Sequence, residues 1–118
     1  MRMSLGIIVF VGSLTLAGCS QENPTDELIR DLNSTSDEDR VRAARLLQNR
    51  THDASKIVPA LIKSLNDHDG EVRRSAAIGL GYYGAKAKEA IPALEEKQKD
   101  PDARVREAAK TAISRIKS

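Results

Sequence analysis

Tryptophan is absent from this 118-residue chain, phenylalanine occurs once and tyrosine twice, so aromatics make up only 3% of it. A core must therefore be assembled from Ala, Leu, Ile and Val. Such side chains pack helices closely and leave little material for a large aromatic-lined pocket. One cysteine cannot form an internal disulfide. Charge of one sign is also lacking. The formal net charge is +2, or about +1 once Arg2 is lost with the leader described below, which gives no general attraction to nucleic acid or to anionic lipid. At 31% charged and 40% hydrophobic residues, the composition is that of a globular chain with room for one domain.

Metal and nucleophile chemistry is equally thin. His52 and His68 stand alone in predicted loops, whereas zinc needs three or four Cys, His or carboxylate ligands. Asp67-His68-Asp69 looks superficially like a metal motif. However, its acids recur as Asp100 and Asp102 without the histidine, which favours helix capping. There is no Gly-rich phosphate loop and no arguable Ser–His or Cys–His pair. The expectation is a non-enzyme with no cofactor, no metal and no nucleic-acid partner.

The one long apolar run is at the start. Met1-Arg2-Met3-Ser4 is a short basic opening, and Leu5 to Gly18 reads LGIIVFVGSLTLAG. These fit the n- and h-regions of a secretory leader. As a helix this run would reach roughly 21 Å, short of a hydrocarbon core of roughly 30 Å. Its end, Leu16-Ala17-Gly18-Cys19, resembles the lipobox of bacterial lipoproteins. That resemblance implies a leader at 1–18 that is removed, a Cys19 thiol that carries a diacylglyceryl group, and a tether over 19–24. Two or three acyl chains, at about 0.8 kcal/mol per buried CH₂, anchor a chain stably. An ordinary leader with a free cysteine near the cut is the alternative. Ser20 in place of Asp resembles the export-permissive class. This implies the cell envelope, and the periplasmic face of the outer membrane if the source is Gram-negative.

The rest of the chain repeats. Val41-Arg42, Val72-Arg73 and Val105-Arg106 recur at spacings of 31 and 33; Pro59 and Pro92, and Leu32 and Leu65, are 33 apart. IVPALIKSL (57–65) matches AIPALEEKQ (90–98). Three copies fill residues 25–116, each reading as two helices. The second helix of each copy is expected to open at Ser36, Asp67 and Asp100, all good N-caps. Val72, Ser75, Ala76, Gly79 and Leu80 fall on one helical face, and Val105, Ala108, Ala109, Ala112 and Ile113 repeat it. The first copy, with Val41, Ala44 and Leu47, is looser. The pairs Glu38–Arg42, Asp69–Arg73 and Asp102–Arg106 lie at i, i+4, which makes these arginines structural rather than a basic stripe.

DHDGEVRRSAAIGLGYYGAKAKEAIPAL (67–94) and DPDARVREAAKTAI (100–113) resemble the HEAT-like repeats of the phycobilin-lyase type. The resemblance implies an all-α, short right-handed solenoid of about three helical hairpins over residues 25–118, with the second helices lining a shallow concave face. It also implies arginines that bridge to a neighbouring repeat. His-Glu pairs, which hold iron in related HEAT-like hydroxylases, are missing at the corresponding positions. An unknown protein or peptide is the expected ligand. The leading reading is thus a membrane-tethered interaction or scaffold module, and the second is an accessory subunit of an enzyme. Between Gly81 and Gly84, one of Tyr82 and Tyr83 is expected to close the core and the other to face a partner. Arg45, Arg74, Ile78, Tyr82 and Lys110 are the candidate contact residues, a mixed apolar and basic patch suited to an acidic or amphipathic segment.

Overall fold

A computed structural model describes residues 23–118. The expected leader, the expected lipidation site Cys19 and the first part of the expected tether lie outside the described residues. Six α-helices make up the described part: α1 (Pro24–Asp31), α2 (Asp37–Leu46), α3 (Ala54–Ser64), α4 (Gly70–Tyr82), α5 (Ile91–Lys97) and α6 (Ala103–Lys117). Short 3₁₀ turns join α2 to α3 and α4 to α5. The described residues form an all-α solenoid of three hairpins, α1–α2, α3–α4 and α5–α6. Among the described residues no helix is long and apolar enough to cross a membrane.

The starts of the second helices follow from local chemistry. Ser36, Asp69 and Asp102 are the N-caps, each accepting from an N–H of the first turn: Asp39 at 3.3 Å, Glu71 at 3.1 Å and Arg104 at 2.8 Å. These satisfy donors the helix itself leaves free. Two of the three expected caps are thereby corrected. Asp67 and Asp100, with Ser34, stand two residues earlier. They accept from the cap residues' own N–H groups at 3.0, 2.9 and 3.1 Å. A tight turn entering a helix offers two sets of free N–H groups, and a D-x-D pair serves both.

This turn sets a uniform 33-residue register. Ser34, Asp67 and Asp100 are equivalent, and so are Arg40, Arg73 and Arg106. The match of Val41-Arg42 to Val72-Arg73 is therefore a coincidence of sequence displaced by two positions. Asp39, not Val41, stands where Val72 and Val105 stand. Both of those valines are fully buried, while Val41 is half-buried. In the corrected register Ala43 and Ala44 match Ala76 and Ala77, and Leu47 matches Leu80 and Ile113; all are buried.

The buried arginines hold successive hairpins together. Arg40, only 5% exposed, grips Asp67 with a two-pronged contact, Nε–Oδ2 at 2.9 Å and Nη2–Oδ1 at 3.1 Å. Its third nitrogen donates to the Ser34 carbonyl at 2.7 Å. Arg73 repeats this on Asp100, at 2.9 and 3.1 Å, and on the Asp67 carbonyl at 2.9 Å. Arg106 keeps the carbonyl contact, to Asp100 at 2.7 Å. Bidentate guanidinium–carboxylate geometry of this kind is strong and directional. In place of the expected i, i+4 pairs, Arg73 bridges to Asp100 of the next repeat, Arg106 donates to the Asp100 and Pro101 carbonyls of its own repeat, and Arg42 pairs with Asp39 at 2.8 Å. Burial alone, the largest influence on each acid, would push the Asp67 and Asp100 carboxyls up. The arginine hydrogen bonds, joined by the Asp69 and Asp102 N–H groups, outweigh it and hold both below the usual carboxylate range.

One tyrosine closes the core, as expected, and the other is exposed. Tyr83 is buried, and its hydroxyl donates to the Leu47 carbonyl across the first and second hairpins. Burial raises its hydroxyl pKa. Tyr82 is 52% exposed. Gly84, at φ 55°, turns the chain out of α4; a side chain there would be strained.

Candidate protein-interaction surface

The second helices α2, α4 and α6 share one face, and two hollows run between them. One, about 590 Å³, lies between α4 and α6. Its floor is made of small residues, Gly81, Ala108 and Ala112. Gly81 permits this: a Cβ there would come within 3.1 Å of the Ala112 Cα, so any larger residue would force the helices apart. Ile78 and Tyr82 border the groove from α4, and Arg104, Glu107 and Arg115 from α6. The Arg115 guanidinium sits over the Tyr82 ring, 5.1 Å from its centre, within the range of a cation–π contact. The volume is in the range of clefts that accept a ligand or several side chains of a partner.

The other hollow lies between α2 and the start of α4 and includes Val41, Leu46, Arg42, Arg45 and Glu71. Leu46 is 51% exposed and, with Tyr82, is one of two large hydrophobics in the open among the described residues. Glu71 stands between the two hollows. Its Oε1 accepts from Arg45 at 3.0 Å and from Arg74 at 3.1 Å, and its Oε2 accepts from Arg104 at 3.2 Å. One carboxylate thus ties three arginines from three different helices. Arg104 also contacts Asp102 at 3.0 Å. That hydrogen bond and the Arg104 N–H hold the Asp102 carboxyl below its ordinary value.

Of the five candidate contact residues, Arg74, Ile78 and Tyr82 come together in the α4–α6 groove. Arg45 lies in the adjacent hollow and joins Arg74 through their shared Glu71. Lys110 is exposed on α6 and is not among the residues lining either hollow. Sequence reasoning missed Glu71, Arg104, Arg115 and Leu46. The corrected register carries a signal for part of this: Glu38, Glu71 and Arg104 occupy one repeat position. The sign of charge reverses there in the third copy, opposite the Glu71 it contacts. Among the described residues, no three His, Cys, Asp or Glu side chains are grouped to hold a metal ion.

Comparison with known proteins bears on the repeat. A family model described as HEAT repeats matches residues 25–117. The chain belongs to the HEAT-repeat family. Among solved structures, the HEAT chain is similar to one from the complex of CpcE and CpcF of phycocyanin lyase from Nostoc sp. PCC7120. Identity is 30% and the TM-score 0.74, covering 84% of this chain and 39% of that one. It is also similar to an engineered protein, with 26% identity and a TM-score of 0.68, covering 80% of this chain and 46% of that one. It therefore spans less than half the length of either. No curated protein matches it. The expected HEAT repeats are thus seen in the family match, and the expected likeness to those of phycobilin-lyase type in the first of these structures.

Proposed function

We propose that this HEAT chain is a non-catalytic protein-interaction module, tethered in a bacterial cell envelope by lipid on Cys19. The observation that carries the interaction reading is the open groove between α4 and α6, where Tyr82 and Ile78 lie beside arginines on a rigid helical frame. Tyrosine and arginine are enriched where proteins meet, because each joins a broad contact surface to a polar head. The groove is shallow and holds no pair of acid and base poised on a reacting atom, which favours binding over catalysis. The tether rests on the Leu16-Ala17-Gly18-Cys19 sequence. Lipid on Cys19 would leave the four residues 20–23 between the membrane surface and α1 (Pro24–Asp31). The periplasmic face of the outer membrane is the proposed site in a Gram-negative source.

A second reading is favoured by the likeness to a chain from a two-protein lyase complex. In that reading this chain is an accessory subunit that supports an enzyme without carrying out its chemistry. Crosslinking in native envelopes followed by mass spectrometry separates the two. One stoichiometric enzyme partner favours the accessory role, and non-enzymatic partners favour the scaffold. For the anchor, Cys19→Ser should release the chain from membranes or leave the precursor uncut. If the variant fractionates and migrates like wild type, and neither takes up labelled palmitate, the tether is wrong.

A further inference from the structure

The two hollows have opposite electrostatic character. Between α4 and α6, Arg74, Arg104 and Arg115 face a single lining carboxylate, Glu107. Between α2 and α4, Arg42 and Arg45 are outnumbered by Asp37, Glu38, Asp69 and Glu71. Apolar surface is present in both, with Ile78 and Tyr82 in the first and Val41 and Leu46 in the second. The interaction face is therefore polarised along the solenoid, positive towards α6 and negative towards α2.

The arginines of this face lie open to solvent. Arg45 and Arg104 are 58% and 61% exposed in their side chains, Arg74 is 37% exposed, and all three share the one Glu71 carboxylate. Arg104 also forks onto Asp102, through Nε at 3.3 Å and Nη2 at 3.0 Å, yet stays largely in solvent; Arg45 and Arg74 each place one nitrogen on Glu71, which leaves their remaining N–H groups to meet a partner. By contrast, Arg40 and Arg73 are largely enclosed, and each spends its fork on a carboxylate of the next repeat and a backbone carbonyl.

Resting on the interaction reading above, we infer that the α4–α6 groove takes an acidic amphipathic segment of a partner protein. Its apolar side chain lies on the Gly81–Ala108–Ala112 floor between Ile78 and Tyr82. Its carboxylates meet Arg104 and Arg115 at the rim. The acidic hollow beyond Glu71 repels the same carboxylates, so the segment's acidic part is confined to the α6 side. Charge complementarity then fixes the direction in which the segment lies, and the apolar floor supplies the contact area.

The test is affinity selection of a random 12-residue peptide library on the full chain, with titration of the recovered peptides by fluorescence anisotropy. The expected peptides pair Asp or Glu with Leu, Ile, Phe or Trp, and their binding weakens as salt rises. Arg104→Gln and Arg115→Gln should each weaken them about tenfold, corresponding to about 1.4 kcal/mol, and Tyr82→Ala at least as much. Glu38→Gln, in the other hollow, should leave them unchanged or slightly tighter. Circular dichroism and melting of each variant serve as the folding control. Neutral or basic peptides, or acidic ones indifferent to Arg104→Gln and Arg115→Gln, overturn the inference while the interaction reading stands. An empty selection also overturns it. The interaction reading itself falls only if native crosslinking finds no partner at any face.

Discussion

Two valines that the sequence presents as equivalent provide a direct test of the repeat register. Val72 is fully buried in α4, where its repeat partner is Val105. Val41, followed by arginine just as Val72 is, lies half-buried beside the open hollow between α2 and α4. Truncating Val72 to alanine removes two methyl groups from a site with no solvent access. At about 0.8 kcal/mol for each buried carbon the transfer cost is about 1.6 kcal/mol. A residual void of roughly 40 Å³, at about 24 cal/mol per Å³, adds about 1 kcal/mol. The sum, about 2.5 kcal/mol, is a large share of the roughly 5–14 kcal/mol expected for a domain of this size.

Val41→Ala loses only part of the same contacts, and its site is open to water, so no closed void forms. Its cost should stay under about 1 kcal/mol. Both substitutions improve helix propensity by the same few tenths of a kcal/mol, so that contribution cancels in the comparison. Thermal unfolding followed by helical circular dichroism should place Val72→Ala about 10–20 °C below wild type, at about 4–8 °C per kcal/mol. Val41→Ala should fall within about 5 °C of wild type. Equal shifts, or a larger one for Val41→Ala, would refute the 33-residue register and restore the 31-residue spacing of the first two copies.

Other outcomes follow from the same packing. Leu80, fully buried where α4 meets its neighbours, should cost about 2–5 kcal/mol on truncation to alanine; an unchanged urea midpoint would mean that the face of α4 is misassigned. Stability should fall in acid, because Asp67 and Asp100 titrate below the usual range when folded and near about 3.9 when unfolded. The unfolded chain binds more protons over that interval. The contribution of these two acids is thus fully present above the unfolded value and lost as pH falls through the lower folded ones. Asp100→Asn should lower the melting temperature at pH 7 and flatten its decline between pH 5 and 2.5; a decline parallel to wild type would exclude the arginine–aspartate bridges as its source.

Much of the fold is legible in the sequence because it rests on local chemistry. Pro59 and Pro92, and Leu32 and Leu65, report the true period directly, and the small-residue faces of α4 and α6 report which side is buried. The first copy misleads because Val-Arg is a conspicuous dipeptide and the turn before it reads Ser-Thr-Ser rather than Asp-x-Asp. Hydrogen bonding, not side-chain likeness, makes Ser34 and Ser36 equivalent to Asp67 and Asp69. The groove is harder to read. Ile78 and Tyr82 stand out on α4 as apolar residues off its buried face, but Arg104 and Arg115 gain their meaning from residues about 33 positions away. Such contacts become visible only when the repeats are aligned in the correct register and compared column by column. Lys110 illustrates the converse. It has the same charge as Arg104, but its place on α6 takes it away from the groove floor.

Arginine serves this chain in two distinct physical states, and the separation between them makes the functional reading testable. Arg40 and Arg73 are nearly enclosed, with side chains 6% and 14% exposed, and each uses its fork on a carboxylate of the next repeat. Removing either side chain leaves a buried acid without its partner, a costly loss. Arg45 and Arg104 stand mostly in water; they share Glu71, and Arg104 also pairs with Asp102, so losing either should change stability by no more than the few tenths to 1 kcal/mol of an exposed pair. The turn edge of the solenoid is thus committed to holding repeats together, and the helix face keeps charge available to a partner. Arg73→Met should therefore lower the melting temperature sharply while leaving any binding by the folded fraction intact. Arg104→Gln should do the reverse. If Arg104→Gln melts as early as Arg73→Met, the groove arginines belong to the scaffold, and the binding surface must be sought on the first helices.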